Sequence, residues 1–167
     1  MRKVVSPGGA TKPAATFKVG DKVVLQPTAV MTISAIGPRN KLSDESSSTQ
    51  ETVYALRVVG EERDSMLLDV KATTRPPLRH ISTKGELSTF LAILGEELQN
   101  ARVTKPPADL ANEVTNAGND LVKLARLYPY LPADDDKKRQ LETLFVQEVA
   151  AVRGIDERDA KRLLDHL

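Results

Sequence analysis

Apolar residues recur at every second position between Phe17 and about Val70, and at every third or fourth position between Leu87 and Leu167. Alternation with period two sends one face of a strand into a core, whereas spacings of three and four send one stripe of a helix there. A chain that changes period once keeps its strands and helices in separate halves, which predicts an α+β fold. At 167 residues the chain has room for one domain of ordinary size or two small ones. Hydrophobic residues make up 40% of it, so there is enough apolar surface to bury a core. No apolar run reaches the roughly 20 residues of a membrane-spanning helix, and no membrane partner is expected.

The first half reads as short strands. Lys22-Val23-Val24-Leu25 follows the turn pair Gly20-Asp21. Residues 30–36 alternate, with Met31, Ile33 and Ala35 on one face and Thr32 and Ser34 on the other. Residues 52–59 form the longest strand, rich in β-branched side chains, and residues 65–70 form another. Four or five strands within so short a span predict a small, strongly twisted antiparallel barrel of SH3-like or Tudor-like size. Residues 39–51, with their Ser run, read as a long mobile hairpin tip, a tolerated insertion before a partner-touching loop. Residues 71–81, with Pro76-Pro77, read as an extended connector out of the barrel.

The second half reads as helices. Thr83 with Glu86 fits a capping box, and Leu87, Phe90, Leu91, Leu94 and Leu98 form one stripe behind it. Pro106-Pro107 makes a stiff joint. Short helices follow, the first ending near Gly118 and the second stopped by Pro129. The strongest stripe is Leu141, Leu144, Phe145, Val149 and Val152, closed by Gly154, and Asp156 caps a last helix through Ala160, Leu163, Leu164 and Leu167. The expected organisation is a flexible arm at 1–15, a β-barrel at 16–81, and an all-α bundle of about four helices at 82–167.

The chemistry-bearing residues do not converge on a catalytic pattern. There is no cysteine, which excludes a thiol nucleophile, a disulfide framework and a thiolate zinc site, and which fits a reducing cytoplasm. No glycine-rich phosphate loop or nucleophile elbow is present, so neither an enzyme nor a bound cofactor is expected. Of the two histidines, His80 reads as a surface or packing residue and His166 as a charge at a helix C-terminus. Asp134-Asp135-Asp136 reads as helix capping rather than as a cation site. Net charge is +1, but residues 1–81 carry twelve Lys/Arg against eight Asp/Glu, and residues 82–167 carry twelve against fifteen. The helical half is therefore mildly acidic, which argues against a strong nucleic-acid field. Lys137-Lys138-Arg139 and the group Arg153, Arg158, Lys161 and Arg162 read chiefly as solvated helix faces.

Four segments together resemble a known family. They are Phe17-Lys18-Val19-Gly20-Asp21-Lys22-Val23-Val24, then Tyr54-Ala55-Leu56-Arg57-Val58, then Arg75-Pro76-Pro77-Leu78-Arg79-His80-Ile81-Ser82, and last the pair of stretches 144–156 and 160–165. In order and spacing they resemble the CarD/CdnL family of bacterial RNA-polymerase-binding transcription regulators. The resemblance implies a Tudor-like domain that docks on the polymerase β subunit by pairing an edge strand. It also implies a helical domain at the upstream edge of the promoter bubble, where a tryptophan wedges into the minor groove. By this likeness Arg39, Val53, Tyr54 and Arg57 would face the polymerase. Arg102 and Lys105, with Lys137, Lys138 and Arg139, would face promoter DNA.

The chain departs from the family pattern at defined places. It has no tryptophan, and Arg102 falls near the wedge position, in a segment that carries Pro106-Pro107. Gln26-Pro27-Thr28-Ala29 stands where the family has a His-Gly turn, and the strand position near Leu68 is not basic. The expected function is a cytoplasmic, monomeric regulator that docks on the polymerase and touches promoter DNA weakly and without sequence preference. The alternative is a divergent protein–protein adaptor that has lost DNA contact.

Overall fold

The structure is a computed structural model and describes residues 17–25, 29–43, 51–59, 61–69 and 78–167. The expected arm at 1–15, the turn at 26–28, the Ser run within 44–50 and the connector at 70–77 lie outside the described residues. The sheet contains β1 (Lys22–Leu25), β2 (Ala29–Pro38), β3 (Thr52–Val58), β4 (Met66–Asp69) and β5 (Leu78–His80), with a four-residue helix α1 (Arg39–Leu42) after β2. Then come α2 (Lys84–Asn100), α3 (Leu110–Ala117), α4 (Leu121–Leu127), a 3-10 turn (Tyr128–Tyr130), α5 (Asp136–Arg153) and α6 (Glu157–Asp165). The fold is α+β, with strands and helices segregated along the chain.

The five strands form one antiparallel sheet in the order β4-β3-β2-β1-β5. Among the described residues β4 and β5 are its two edges, and no pairing closes them into a ring. Two expectations change here. Residues 78–80, read as connector, are a strand that pairs with β1 through Val23↔His80 and Leu25↔Leu78. Residues 39–42, read as the start of a mobile tip, form a helical turn whose Arg39 N–H donates to Glu51 O across the base of the loop (2.9 Å).

The alternation along β2 also shifts. Met31 and Ile33 lie opposite Val58 and Leu56, but the register jumps between Ile33 and Ala35, so Ile36 rather than Ala35 lies opposite Tyr54. An extra residue in one strand moves every later side chain to the other face. Ser34 occupies the bulge, and its hydroxyl donates to Asp64 Oδ1 (2.6 Å) and lies 3.1 Å from Ala55 O.

The sheet is apolar on both faces. Phe17, Val23, Leu25, Met31, Ile33, Tyr54, Leu56 and Leu78 form one buried cluster. Val24 and Val30, which are cross-strand partners, belong instead to the large helical core. That core gathers the stripes expected of α2 and α5: Leu87, Phe90, Leu91 and Leu94 with Leu141, Leu144, Phe145 and Val149. Phe90 and Tyr128 both meet the Phe145 ring edge-on, with centroids 4.9 and 5.3 Å away.

The helix ends follow local chemistry. Thr83 and Glu86 complete a reciprocal capping box at α2. Asp120, Asp135 and Asp156 cap α4, α5 and α6 by accepting backbone N–H bonds. Gly154 ends α5 at φ 67°, a left-handed conformation that costs a residue with a Cβ but not glycine.

One buried ion pair ties the sheet to the helices. Arg79 lies opposite Val24 in the β1–β5 ladder, so it projects from the helix-facing side. Its guanidinium makes a two-pronged contact with Glu148 of α5, at 2.7 Å to each oxygen. Glu148 is 0% exposed, and it also accepts the N–H and hydroxyl of Ser82 (2.8 and 2.7 Å). Arg79 Nε donates to the backbone carbonyl of Asn119 (2.8 Å), while the Asn119 side-chain amide donates to Val24 O (3.1 Å). Gln147 Oε1 accepts from Val30 N (3.0 Å) beside them. Among the described residues no buried side-chain polar atom lacks a partner.

Two outcomes follow from these contacts. Arg79→Met leaves a buried carboxylate without its cation and lowers the unfolding free energy by about 3 kcal/mol, while Arg79→Met with Glu148→Leu recovers most of that loss. Urea unfolding of the three proteins checks this, and a single-variant cost below about 1 kcal/mol would show that the pair does not hold the junction. Thr83→Ala costs about 1 kcal/mol at neutral pH. The Glu86 carboxyl is held below its usual range, first by the Thr83 backbone N–H and then by the Thr83 side chain. A carboxylate depressed in the folded chain stabilises it above the unfolded pKa, and that stabilisation is lost as pH falls through the lowered value. Stability measured from pH 6 downward, with pH steps of roughly half a unit, therefore shows an acid limb that Glu86→Gln diminishes.

Candidate functional site

The residues expected to meet a protein partner sit at different depths. Val53 is 0% exposed and Tyr54 5% exposed, and both lie on β3, which is paired on one side with β2 and on the other with β4. Their side chains are core, and their backbone groups are taken by neighbouring strands, so β3 has no open edge to add a partner strand. Arg57, further along β3, is part-exposed and held by Asp64, with Nε and Nη2 each 3.2 Å from Oδ1. Arg39 starts α1 at the end of β2.

The available edge is β4. Its inner side pairs with β3 through Tyr54↔Leu68 and Leu56↔Met66, and among the described residues nothing pairs its outer side. Met66 is 40% exposed there, and Leu67 and Leu68 are partly exposed. An apolar edge strand with unpaired backbone groups is the structural requirement for strand addition. The β5 edge is shorter, at three residues, and its Leu78 and Arg79 are drawn into the two cores.

The residues expected to meet DNA divide in the same way. Beyond α2 the chain turns once more, with Val103 and Thr104 N–H both donating to Asn100 O (3.0 Å). Arg102 and Lys105 are exposed on that turn, and Val103 between them is 89% exposed, the most exposed large apolar side chain described. Sequence reading singled out the two cations but missed the valine, because a lone valine before two prolines carries no periodic signal.

Lys138 and Arg139 are committed to their own fold. The Lys138 ammonium donates to Leu131 O (2.8 Å) and lies 5.2 Å from the centre of the Tyr128 ring. Arg139 donates to Asp134 O and pairs with Asp136, each at 3.1 Å. Lys137 is partly buried at the first turn of α5, its N–H on the Asp135 cap. Lys138 and Arg139 thus have partners within the helical half, and Lys137 lies at the first turn of α5 beside them.

The aspartates at 134–136 act as helix-end groups, and among the described residues no cluster of three or more histidines or carboxylates is placed to hold a metal ion. His80 packs on Phe17, with ring centroids 4.7 Å apart, and its Nδ1 lies 3.9 Å from Asp21. His166 Nδ1 is 2.5 Å from Arg162 O at the end of α6.

Glu148 was missed in sequence, although a signal existed. It occupies a stripe position, with Phe145 three residues before it and Val152 four after, where a carboxylate is stable only beside a buried partner. Lys161 was read only as part of a basic helix face. The structure places its ammonium on Glu142 (2.5 Å) and Asp165 (2.9 Å), and these two hydrogen bonds raise its pKa. Among the described residues no helix is long and apolar enough to cross a membrane. No protein-family model matches the chain, and no curated protein matches it.

Proposed function

We propose that the protein is a transcription regulator of the CarD/CdnL type, whose sheet is a Tudor-like barrel that docks on the RNA polymerase β subunit by strand addition. The observation that carries this reading is the open β4 edge with Met66 exposed on it. A barrel-like curl is supported by the shared apolar cluster, which includes Leu78 from one edge of the sheet and touches Leu68 from the other. The partner strand would lie along Met66–Asp69, with Arg57 on the neighbouring strand and Arg39 at the far end of β2. Val53 and Tyr54 would support that edge from beneath.

The helical half would act at promoter complexes through the turn after α2. Arg102 and Lys105 supply two phosphate-facing cations, and Val103 is an exposed apolar tip between them. One set of observations favours the alternative, an adaptor without DNA contact. Lys138, Arg139, Lys161 and Arg162 are each paired with a carboxylate or a backbone carbonyl of the same helical half. Cations already matched to internal partners add little field at a distance.

Capture of the purified chain by an isolated β-subunit lobe tests the docking reading. The expected result is saturable binding that falls about tenfold or more in Met66→Glu, which places a charge on the edge, and that weakens in Arg39→Glu. Absence of binding by the native chain would remove the polymerase reading altogether. Forked promoter duplex with polymerase present separates the two readings of the helical half. If DNA is touched, Arg102→Ala lowers the salt slope of binding by about 1, whereas Arg139→Ala leaves it unchanged. A slope that neither Arg102→Ala nor Lys105→Ala alters selects the adaptor.

A further inference from the structure

Between α2, α5 and α6 lies a half-open cleft of about 430 Å³, a volume that suits a small organic molecule. Its lining includes the apolar Leu98, Phe145 and Leu164. It also includes Arg102, Tyr128 and the group Glu142–Lys161–Asp165. The charges there are not matched one to one. Lys161 is held by two carboxylates, which leaves that group with one net negative charge. Arg102 makes no ion pair with any described residue, which leaves one positive charge in the same lining.

We propose that this cleft binds a small zwitterion with an apolar body, of the kind an apolar α-amino acid presents. The ligand ammonium meets the excess carboxylate charge of Glu142 and Asp165, its carboxylate meets Arg102, and its side chain lies on Leu98 and Leu164. A purely anionic ligand would bring its charge against the two carboxylates, and a purely cationic one would meet Arg102. Only a molecule carrying both charges is matched to both poles. The Tyr128 hydroxyl, half-buried with its pKa raised first by burial and then by Glu142, stays protonated near neutral pH, and Tyr128 adds a neutral donor to the lining. Neither the polymerase reading nor its alternative is needed for this site.

The test uses the full chain, labelled with ¹⁵N, titrated with L-leucine, L-methionine and L-phenylalanine to roughly 10 mM, a range that reaches weak sites. The expected result is saturable movement of the backbone amides of Arg102, Lys161 and Asp165 with at least one of the three. For the amino acid that binds, the matched amine and the matched carboxylic acid, each lacking one charged group, bind about tenfold more weakly or worse. Arg102→Gln, an exposed position, weakens the zwitterion by a similar factor and leaves the spectrum otherwise native. Leu164→Trp fills the cleft and abolishes binding. No saturable movement with any of the three amino acids overturns the proposal. So does equal binding of a single-charge analogue, or binding unaltered in Arg102→Gln.

Discussion

The two halves of the molecule are joined through a charge that neither could bury alone. Glu148 lies on the inner face of α5, and a carboxylate there, without partners, would cost several kcal/mol in desolvation. Arg79 meets both its oxygens, and Ser82 supplies two more donors from the chain leading into α2. The cation comes from the edge strand β5 and the anion from the longest helix, so the contact is available only when sheet and helices are in register. A greasy interface would tolerate sliding; a two-pronged guanidinium–carboxylate contact tolerates little.

The other contacts at the junction acquire their meaning from that one. Asn119 links the Arg79 side chain to the backbone of β1, and Gln147 takes the amide of Val30 on β2. Val24 and Val30 can then leave the sheet's own cluster and enter the helical core. The sheet thus meets the helices on one face, while the other carries the apolar cluster of Phe17 and Tyr54, whose rings meet edge-on at 5.8 Å. Among the described residues an edge, β4, and a tip, the turn after α2, are left uncovered. Exposed backbone and exposed apolar surface at those two places are where a partner gains most from binding.

The charged surface of the helical half shows why residue type alone misleads. Twelve cations lie between residues 82 and 167. Several are spent on helix ends and on neighbouring turns: Lys138 on Leu131, Arg162 on Asp159, Arg126 on Glu97. Arg102, exposed on the turn past the end of α2, makes no ion pair with any described residue, and neither does Lys105 beside it.

The sequence by itself determined the segregation of strands and helices, the caps at Thr83, Asp156 and Gly154, and the apolar stripes of α2 and α5. Each is a local property, set by side-chain spacing or by a hydrogen bond within one turn, so it is legible in a short window. Tertiary structure alone decided that residues 78–80 are a strand, since three residues after two prolines become β-structure only when β1 offers them a ladder. It decided the bulge at Ser34, which depends on Ala55 and Asp64 arriving from the partner strand and its following turn. It decided which cations are committed and which are exposed, because pairing depends on residues far away in sequence, as Lys161 and Glu142 show. Above all it decided the fate of Glu148: the chain displays a charge on an apolar stripe, and only the folded molecule brings Arg79 from 69 residues away to meet it.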